Sequence, residues 1–247
     1  MKAAVATTEA PQGAAVTATD LVRRYGERPA LDGVTFAVPA GSTLVVFGPN
    51  GAGKSTLLRV LATLLRPHGG SASVLGCDVQ RQGWSVRGRI GFLGHDPLLY
   101  GDLSARENLD YHARLHGLRD PGRRIAELLA ATGLERRAQD RVHTYSRGMV
   151  QRLAACRAVL HDPEVLLLDE PRANLDPAAG EQLEPLIGRA SGRTRVVTSH
   201  DPAGGLAEAD LALGLRAGRQ ELLGAAAAIS ADDIAALYAD THGMVPA

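Results

Sequence analysis

The sequence is poor in several residue types, and each shortage excludes a class of protein. Its 247 residues contain two cysteines, Cys77 and Cys156, which make neither a disulfide framework nor a paired zinc spacing. So few cysteines favour a reducing compartment. No run approaches the about 18 apolar residues that a membrane-spanning helix needs. If the protein works at a membrane, another chain must do the spanning.

The chain also lacks an excess of either charge. Its 27 Lys and Arg residues balance 27 Asp and Glu residues, and no long basic block occurs. A nucleic-acid partner therefore has no electrostatic support, and we expect none. A hydrophobic content of 45% over this length suffices to bury the core of one α/β domain with a subdomain.

Lysine is rare, and its position is informative. Among the 27 cationic residues only Lys2 and Lys54 are lysines, and the rest are arginines. A planar guanidinium cannot replace a compact ammonium packed between two phosphates. A lysine at position 54, in a chain that otherwise uses arginine, therefore indicates a phosphate-binding role.

Lys54 lies in the stretch Gly48-Pro49-Asn50-Gly51-Ala52-Gly53-Lys54-Ser55-Thr56, between an apolar run and a helix-like segment. The spacing is that of a P-loop, whose glycines let backbone N–H groups point at phosphate oxygens beside a helix N-terminus. Lys54 is predicted to reach the β- and γ-phosphates, and the Ser55 hydroxyl to bind Mg²⁺. The alternative is a glycine-rich turn that binds nothing.

Polar residues follow two other predicted strands. The apolar run 164–168 ends in Asp169 and Glu170, and the strand 194–198 is followed by His200. The carboxyl ends of such strands face the ligand crevice of open α/β sheets. Asp169 is predicted to hold Mg²⁺, Glu170 to deprotonate an attacking water, and His200 to donate to the γ-phosphate. Without the P-loop, two acids after a strand would indicate only a helix start.

Two further candidates have plain structural alternatives. Tyr25, in a predicted loop, could stack on a base or be a half-exposed loop tyrosine. His112 and His116 lie four residues apart on a predicted helix, close enough to share a metal. Because no third ligand is offered nearby, we interpret them as histidines of a polar helix face.

The hydrophobic pattern predicts an α/β fold with an antiparallel β start, a helical insertion and closing strands. A capping box at Ser104 opens the insertion, and Asp120 followed by Pro121 is predicted to cap a second helix there. Residues 1–15 are expected to be a disordered tail without the apolar core of a signal peptide. The remaining expected units are a main domain (16–224), a helical subdomain within it (98–160), and a C-terminal helix and tail (225–247).

Together these motifs resemble the ATP-binding cassette ATPases over residues 16–224. They occur in that family's order: adenine-stacking Tyr25, Walker A at 48–56, signature Ser146-Arg147-Gly148, Walker B at 165–170, D-loop Asn174-Leu175-Asp176 and switch histidine His200. The resemblance implies a P-loop NTPase fold with a mixed sheet, an antiparallel β subdomain and an α-helical subdomain. It also implies ATP hydrolysis with ATP and Mg²⁺ as cofactors.

The resemblance further implies partners. Two copies of such ATPases dimerise head to tail, so that Ser146, Arg147 and Gly148 of one copy meet the γ-phosphate held by the other. Integral membrane permease subunits are implied as well, and a peripheral position on the cytoplasmic face of the inner membrane. Two positions depart from the family pattern: Arg147 replaces a glycine, and His95 stands near the place of a glutamine that touches Mg²⁺.

Within the family, the sequence resembles the haem-exporter ATP-binding subunit of cytochrome c maturation. The resemblance lies in Gly-Phe-Leu-Gly-His at 91–95, the segment 99–109 and the Ser-Arg-Gly signature, and it implies haem export in cytochrome c-type biogenesis. No C-x-x-C-H motif occurs. The alternatives are the ATPase of a drug, lipid or polysaccharide exporter, and a soluble non-transport P-loop ATPase. A small-metabolite kinase would have no use for the signature.

Overall fold

The computed structural model describes residues 13–239 except Asn174 and Asp176. The ends of the two predicted tails, 1–12 and 240–247, lie outside these residues, as do two of the three predicted D-loop residues. Strand β1 begins at Ala14, inside the segment predicted as a tail, because its first residues pair with Pro39 and Val38 of the next strand.

Two sheets form the frame of the molecule. The smaller one is antiparallel, with strand order β2-β1-β4-β5, and is the predicted antiparallel subdomain. Its strands are β1 (Ala14–Tyr25), β2 (Arg28–Pro39), β4 (Gly69–Val74) and β5 (Cys77–Asp78).

The larger sheet carries the functional segments. Its order is β10-β9-β3-β8-β7-β6, parallel throughout except that β10 runs antiparallel to β9. Every residue of β3, β7 and β8 is buried, which explains why β3 and β7 are nearly continuous apolar runs rather than alternating ones. The strands are β3 (Thr43–Phe47), β6 (Ile90–Leu93), β7 (Val165–Asp169), β8 (Thr194–Thr198), β9 (Leu211–Arg216) and β10 (Arg219–Ala225).

Helices cover both faces of this sheet. Alternate residues of one strand point to opposite faces: Val45 and Phe47 pack with α3, α4 and α5, whereas Leu44 and Val46 pack with α1 and the small sheet. The helices are α1 (Lys54–Leu61), α2 (Gly83–Val86), α3 (Ala105–Leu115), α4 (Gly122–Ala131), α5 (Arg147–Val159), α6 (Pro177–Ile187), α7 (Pro202–Glu208) and α8 (Ala231–Ala236). Over the described part of the chain, no helix has the length and apolar character to cross a membrane.

The helical subdomain comprises α3, α4 and α5. Its predicted capping box is present: the Ser104 N–H donates to Glu107 Oε2 over 2.7 Å, and the Glu107 N–H donates to Ser104 Oγ over 3.2 Å. The predicted cap of the next helix is wrong by one residue. Asp120 adopts a left-handed φ of 47°, which turns the chain, so Pro121 becomes the N-cap and no side chain caps the helix.

The C-terminal prediction of one helix from residue 225 is also wrong. Ala225 still pairs with Leu211 in the sheet, and a single 3-10 turn follows at Ala226–Ala228. Ser230 then opens the short α8 with a capping box of its own, accepting from the Asp233 N–H. Alanine propensity is outweighed here by sheet pairing and by an internal cap.

Candidate functional site

The P-loop connects β3 to α1, and glycine is required at both its ends. Gly48 has a φ of 145°, and a Cβ there would lie 2.1 Å from the Leu215 carbonyl oxygen. Gly53 has a φ of 108°, and a Cβ there would lie 2.2 Å from the Ala30 carbonyl oxygen. A side chain at either position would clash with backbone, so these glycines fix how the loop enters and leaves the sheet.

Lys54 points back into the loop that it follows. Its Nζ donates to the Gly48 carbonyl over 2.6 Å and to the Pro49 carbonyl over 3.3 Å, and the residue is only 6% exposed. Burial lowers the pKa of Lys54, while the nearby carboxylates of Glu170 and Asp169 act in the opposite direction. The ammonium is therefore held at the loop with two acids close to it.

A cavity of about 310 Å³ opens over the loop. It is lined by Tyr25, Ala30, Glu170 and the eight residues 49–56. The structure thus brings together the predicted aromatic ring, the P-loop and one of the two predicted acids. Tyr25 is 48% exposed, with the Arg23 guanidinium 5.1 Å from its ring centroid.

The two acids at the end of β7 are held by one hydroxyl. Thr198 Oγ1 donates to Asp169 Oδ1 over 2.7 Å and accepts from the Glu170 N–H over 2.9 Å. Thr198 is the last residue of β8, which pairs with Asp169 in the parallel ladder. Sequence reasoning missed Thr198: the predicted strand 194–198 ends at this residue, but only the strand order of the folded sheet brings its hydroxyl to the acids.

Glu170 faces the predicted switch histidine. Its Oε1 lies 2.5 Å from His200 Nε2. Glu170 has a left-handed φ of 51°, uncommon for a residue with a long side chain. The pair also lines a second cavity, of about 230 Å³, between Pro171 and the start of α7. Glu170 therefore stands between the P-loop cavity and this neighbouring space.

Three other predicted residues lie apart from this cavity. Ser146 is the N-cap of α5 and accepts from the Met149 N–H over 3.3 Å, so Arg147 and Gly148 occupy the first turn of that helix. None of them is among the described residues that line the P-loop cavity. Their predicted contact with phosphate is not made within one copy.

His95 lies elsewhere as well. It lines a third cavity, of about 240 Å³, with Gly94, Asp96 and the apolar residues Leu64, Leu65, Phe92 and Leu98. A part in Mg²⁺ binding for His95 stays a prediction.

His112 and His116, interpreted from the sequence as histidines of a polar helix face, make separate contacts. His116 stacks on His161 with ring centroids 3.8 Å apart and planes 5° apart, while His112 Nε2 lies 3.2 Å from the Leu98 carbonyl. Within the described ranges, no group of three or more His, Cys, Asp or Glu side chains could hold a metal ion.

A phosphate-binding loop at one strand of a mixed sheet, with adjacent acids at the end of a neighbouring buried strand, defines a P-loop nucleotide hydrolase. The family model described as "ABC transporter" matches residues 31–173. The chain belongs to the ABC transporter family, and its fold is that of the family's ATPase domain.

Two curated relatives are resistance proteins. The chain is 46% identical over 165 residues to the daunorubicin resistance ATP-binding protein DrrA3 of Streptomyces coeruleorubidus, covering 66% of this chain and 52% of that protein. It is 32% identical over 187 residues to the linearmycin resistance ATP-binding protein LnrL of Bacillus subtilis, covering 74% and 60%. The chain thus spans little more than half the length of these relatives.

Solved structures agree on the fold. The ATP-binding subunit of an ABC transporter superposes with a TM-score of 0.82 at 28% identity, covering 90% of this chain and 99% of the other. A dimeric ATP-binding cassette bound to ADP and Pi, described as a post-hydrolysis state, superposes with a TM-score of 0.77 at 26% identity, covering 85% and 98%.

Proposed function

We propose that this protein is the ATP-hydrolysing subunit of a membrane ABC exporter of the drug-resistance type. The observation that carries the proposal is the 2.5 Å contact between Glu170 and His200, at the edge of a cavity lined by an intact P-loop. This contact supports a general base and an imidazole acting beside the site of a γ-phosphate. The relatives' names supply the cargo class.

The P-loop residues would bind the triphosphate. Backbone N–H groups of residues 50–56 and the N-terminus of α1 present positive potential to the phosphates. The Lys54 ammonium, held on the Gly48 carbonyl, would neutralise charge on the β- and γ-phosphates. The exposed ring of Tyr25, which lines the same cavity, would stack on the adenine.

Ser55 and Asp169 would hold Mg²⁺. A hydroxyl and a carboxylate are the hard oxygen donors that this cation prefers. The Thr198 hydroxyl orients the Asp169 carboxylate, which is 7% exposed, so the acid is fixed in direction. When bound, the cation supplies charge neutralisation of the phosphate oxygens.

Glu170 would take the proton of the attacking water, and His200 would hold the geometry. The carboxylate is anchored through its own backbone N–H to Thr198 and through Oε1 to His200. A base fixed at both its backbone and its side chain can orient a water toward the γ-phosphate. As the γ-phosphate enters, the His200 imidazole would donate to it.

A second copy would complete the site. Ser146, Arg147 and Gly148 stand at the start of α5 and do not line the P-loop cavity of their own chain. The N-terminal end of α5 carries a positive partial charge suited to a phosphate. We infer a head-to-tail homodimer with ATP between the copies; support comes from the dimeric cassette that superposes on this chain.

The cargo proposal replaces the haem-exporter prediction. Haem export has no support from the relatives reported above, whose names refer to resistance to daunorubicin and linearmycin. A lipid or polysaccharide exporter would share every catalytic residue and differ only in its permease. Permease subunits would provide the membrane span, with this subunit attached at the cytoplasmic face.

Co-purification and transport assays together test the cargo. We expect the tagged chain to recover a permease from the membranes of its own cells, and ATP hydrolysis by the reconstituted complex to rise severalfold with an anthracycline. Lys54→Ala, which loses the phosphate ligand, should abolish the stimulation. Stimulation by haem and not by the anthracycline would contradict the proposal.

A further inference from the structure

The C-terminal segment reaches the nucleotide site from the side opposite α1. Helix α8 and the two residues after it, Leu237 and Tyr238, pack in the same core cluster as Phe47, the last residue of β3. Ile234 is fully buried and Leu237 is 6% exposed. The segment is therefore part of the folded domain and is fixed against the strand that leads into the P-loop.

Two glycines allow this close packing. A Cβ on Gly214 would lie 2.7 Å from Leu237 Cδ1, and Gly214 is the partner of Phe47 in the parallel ladder. A Cβ on Gly205, in α7, would lie 2.7 Å from the Phe47 ring. Strand β9, helix α7 and the C-terminal segment thus converge on the residue before the loop, which places Tyr238 within reach of Gly48.

The Tyr238 hydroxyl contacts the first residue of the P-loop. Tyr238 Oη accepts from the Gly48 N–H over 3.2 Å. The Gly48 carbonyl accepts from Lys54 Nζ over 2.6 Å. The two polar groups of this one glycine are therefore held on one side by the C-terminal segment and on the other by the phosphate-binding lysine.

The backbone of Gly48 requires contacts that keep it in one conformation. Its φ of 145° is open to glycine and strained for other residues, and glycine loses more conformational freedom on ordering than any other residue. The bond from its N–H to Tyr238 holds the peptide before Gly48, and the bond from Lys54 to its carbonyl holds the peptide after it, so the two together limit rotation about φ and ψ of Gly48.

We propose that Tyr238 is a positioning residue for ATP binding, which orients Gly48 and through it the Lys54 ammonium. This inference rests on the proposed ATPase function and extends it to a residue outside the family's motifs. Burial and the Glu170 carboxylate raise the pKa of Tyr238, whereas its bond from Gly48 lowers it.

Tyr238→Phe removes the hydroxyl and keeps the ring that packs in the core. Loss of one hydrogen bond to the loop should raise the KM and the Kd for ATP by about two- to tenfold, while kcat stays within about twofold. Faster amide exchange of the peptide that contains Gly48 should accompany the loss of affinity. The matched control is Tyr111→Phe, which removes a hydroxyl from the exposed Tyr100–Tyr111 pair and should change none of these quantities.

The outcomes separate this proposal from the proposed function. Lys54→Ala is measured in the same assays. If the wild type binds ATP and Lys54→Ala does not, the P-loop assignment is supported independently of the result for Tyr238→Phe. With that in place, an unchanged KM and Kd in Tyr238→Phe would overturn the positioning role. A fall in kcat as large as the loss of ATP affinity, together with a lowered melting temperature, would also overturn it. That result would show that Tyr238 only stabilises the fold.

Discussion

At the scale of single residues, Glu170 is held at both its backbone and its side chain. Its left-handed φ of 51° is a conformation that costs energy in a residue with a Cβ and is found where the surroundings enforce it. Thr198 enforces it through the backbone N–H, and His200 holds the side chain. Residues held in this way cluster at functional sites, which agrees with a catalytic role for Glu170.

Replacing Glu170 with glutamine tests that role. Glu170→Gln keeps the size and removes the base, so ATP hydrolysis should fall by at least about 100-fold with ATP affinity retained. Gel filtration with ATP should then show an accumulated ATP-bound dimer. The control is Glu164→Gln, the same change just before β7, where the carboxylate pairs with Arg89 on the surface. Normal hydrolysis by Glu170→Gln would exclude Glu170 as the base.

The residues proposed for catalysis could be found in the sequence because each one either directly follows a predicted strand or belongs to a motif of fixed spacing. Lys54, Asp169 and Glu170 belong to continuous motifs, and the structure places them together. Thr198 and Tyr238 were not predictable: their roles arise from a neighbouring strand and from a distant helix. Nothing local in the sequence marks a hydroxyl that becomes adjacent only after folding.

At the scale of elements, helix α5 is hydrogen-bonded to strand β6 and to the loop that follows it. Arg157 of α5 donates to the Phe92 carbonyl over 2.7 Å and to the Pro97 carbonyl over 3.2 Å. These carbonyls flank the segment that contains His95. The helix that begins with the predicted signature residues is thereby hydrogen-bonded, near its other end, to both sides of the segment 93–96.

The same region contains His161, a histidine whose surroundings disfavour its protonated form. His161 Nε2 donates to the Ile90 carbonyl over 3.0 Å, and its Nδ1 is buried without a hydrogen-bond partner among the described residues. Burial, and after it the neighbouring His116, lowers the pKa of His161 to about 4. A second proton would leave a buried N–H unpaired beside another ring.

This predicts a loss of stability in acid. The unfolded His161 titrates near its ordinary pKa of about 6.5, so between that pH and about 4 the unfolded state binds more protons. The free energy of unfolding should therefore fall by about 1 to 3 kcal/mol as the pH drops through this window. Urea titrations at several pH values measure it. His161→Gln should flatten the dependence, while His143→Gln, at an exposed position, should not; an equal slope in His161→Gln would contradict the assignment.

Prediction of helices and strands succeeded where one sequence pattern dominated a segment. It failed where two local tendencies, such as capping and turn formation, competed at the same residues. The buried strand β8 has the predicted bounds, since its apolar centre ends at the polar residues Thr198 and Ser199. The N-terminus of α4 shifted because Asp120 took a turn conformation instead of capping. The C-terminal alanine run divided because β10 extends its pairing to Ala225.

At the scale of the whole molecule, we propose that the domain carries two separated halves of an active site. One half is the P-loop cavity with Glu170 and His200; the other is the exposed start of α5 with Ser146, Arg147 and Gly148. In a symmetric head-to-tail dimer each half meets the complementary half of the other copy, giving two sites. The motif order predicts this arrangement, and it stays a prediction. The exporter subfamily was not predictable, because exporters of different cargo would share the same catalytic residues.

Mixing two inactive variants tests this composite site most directly. Lys54→Ala removes the phosphate ligand of one half. Gly148→Asp puts a carboxylate in the first turn of α5, where it favours the helix but repels the phosphate of the other copy. Each variant alone should be inactive, and an equal mixture should regain about a quarter of wild-type hydrolysis, because half the dimers are mixed and each has one intact site. No recovery in the mixture, or full activity of Gly148→Asp alone, would contradict the account.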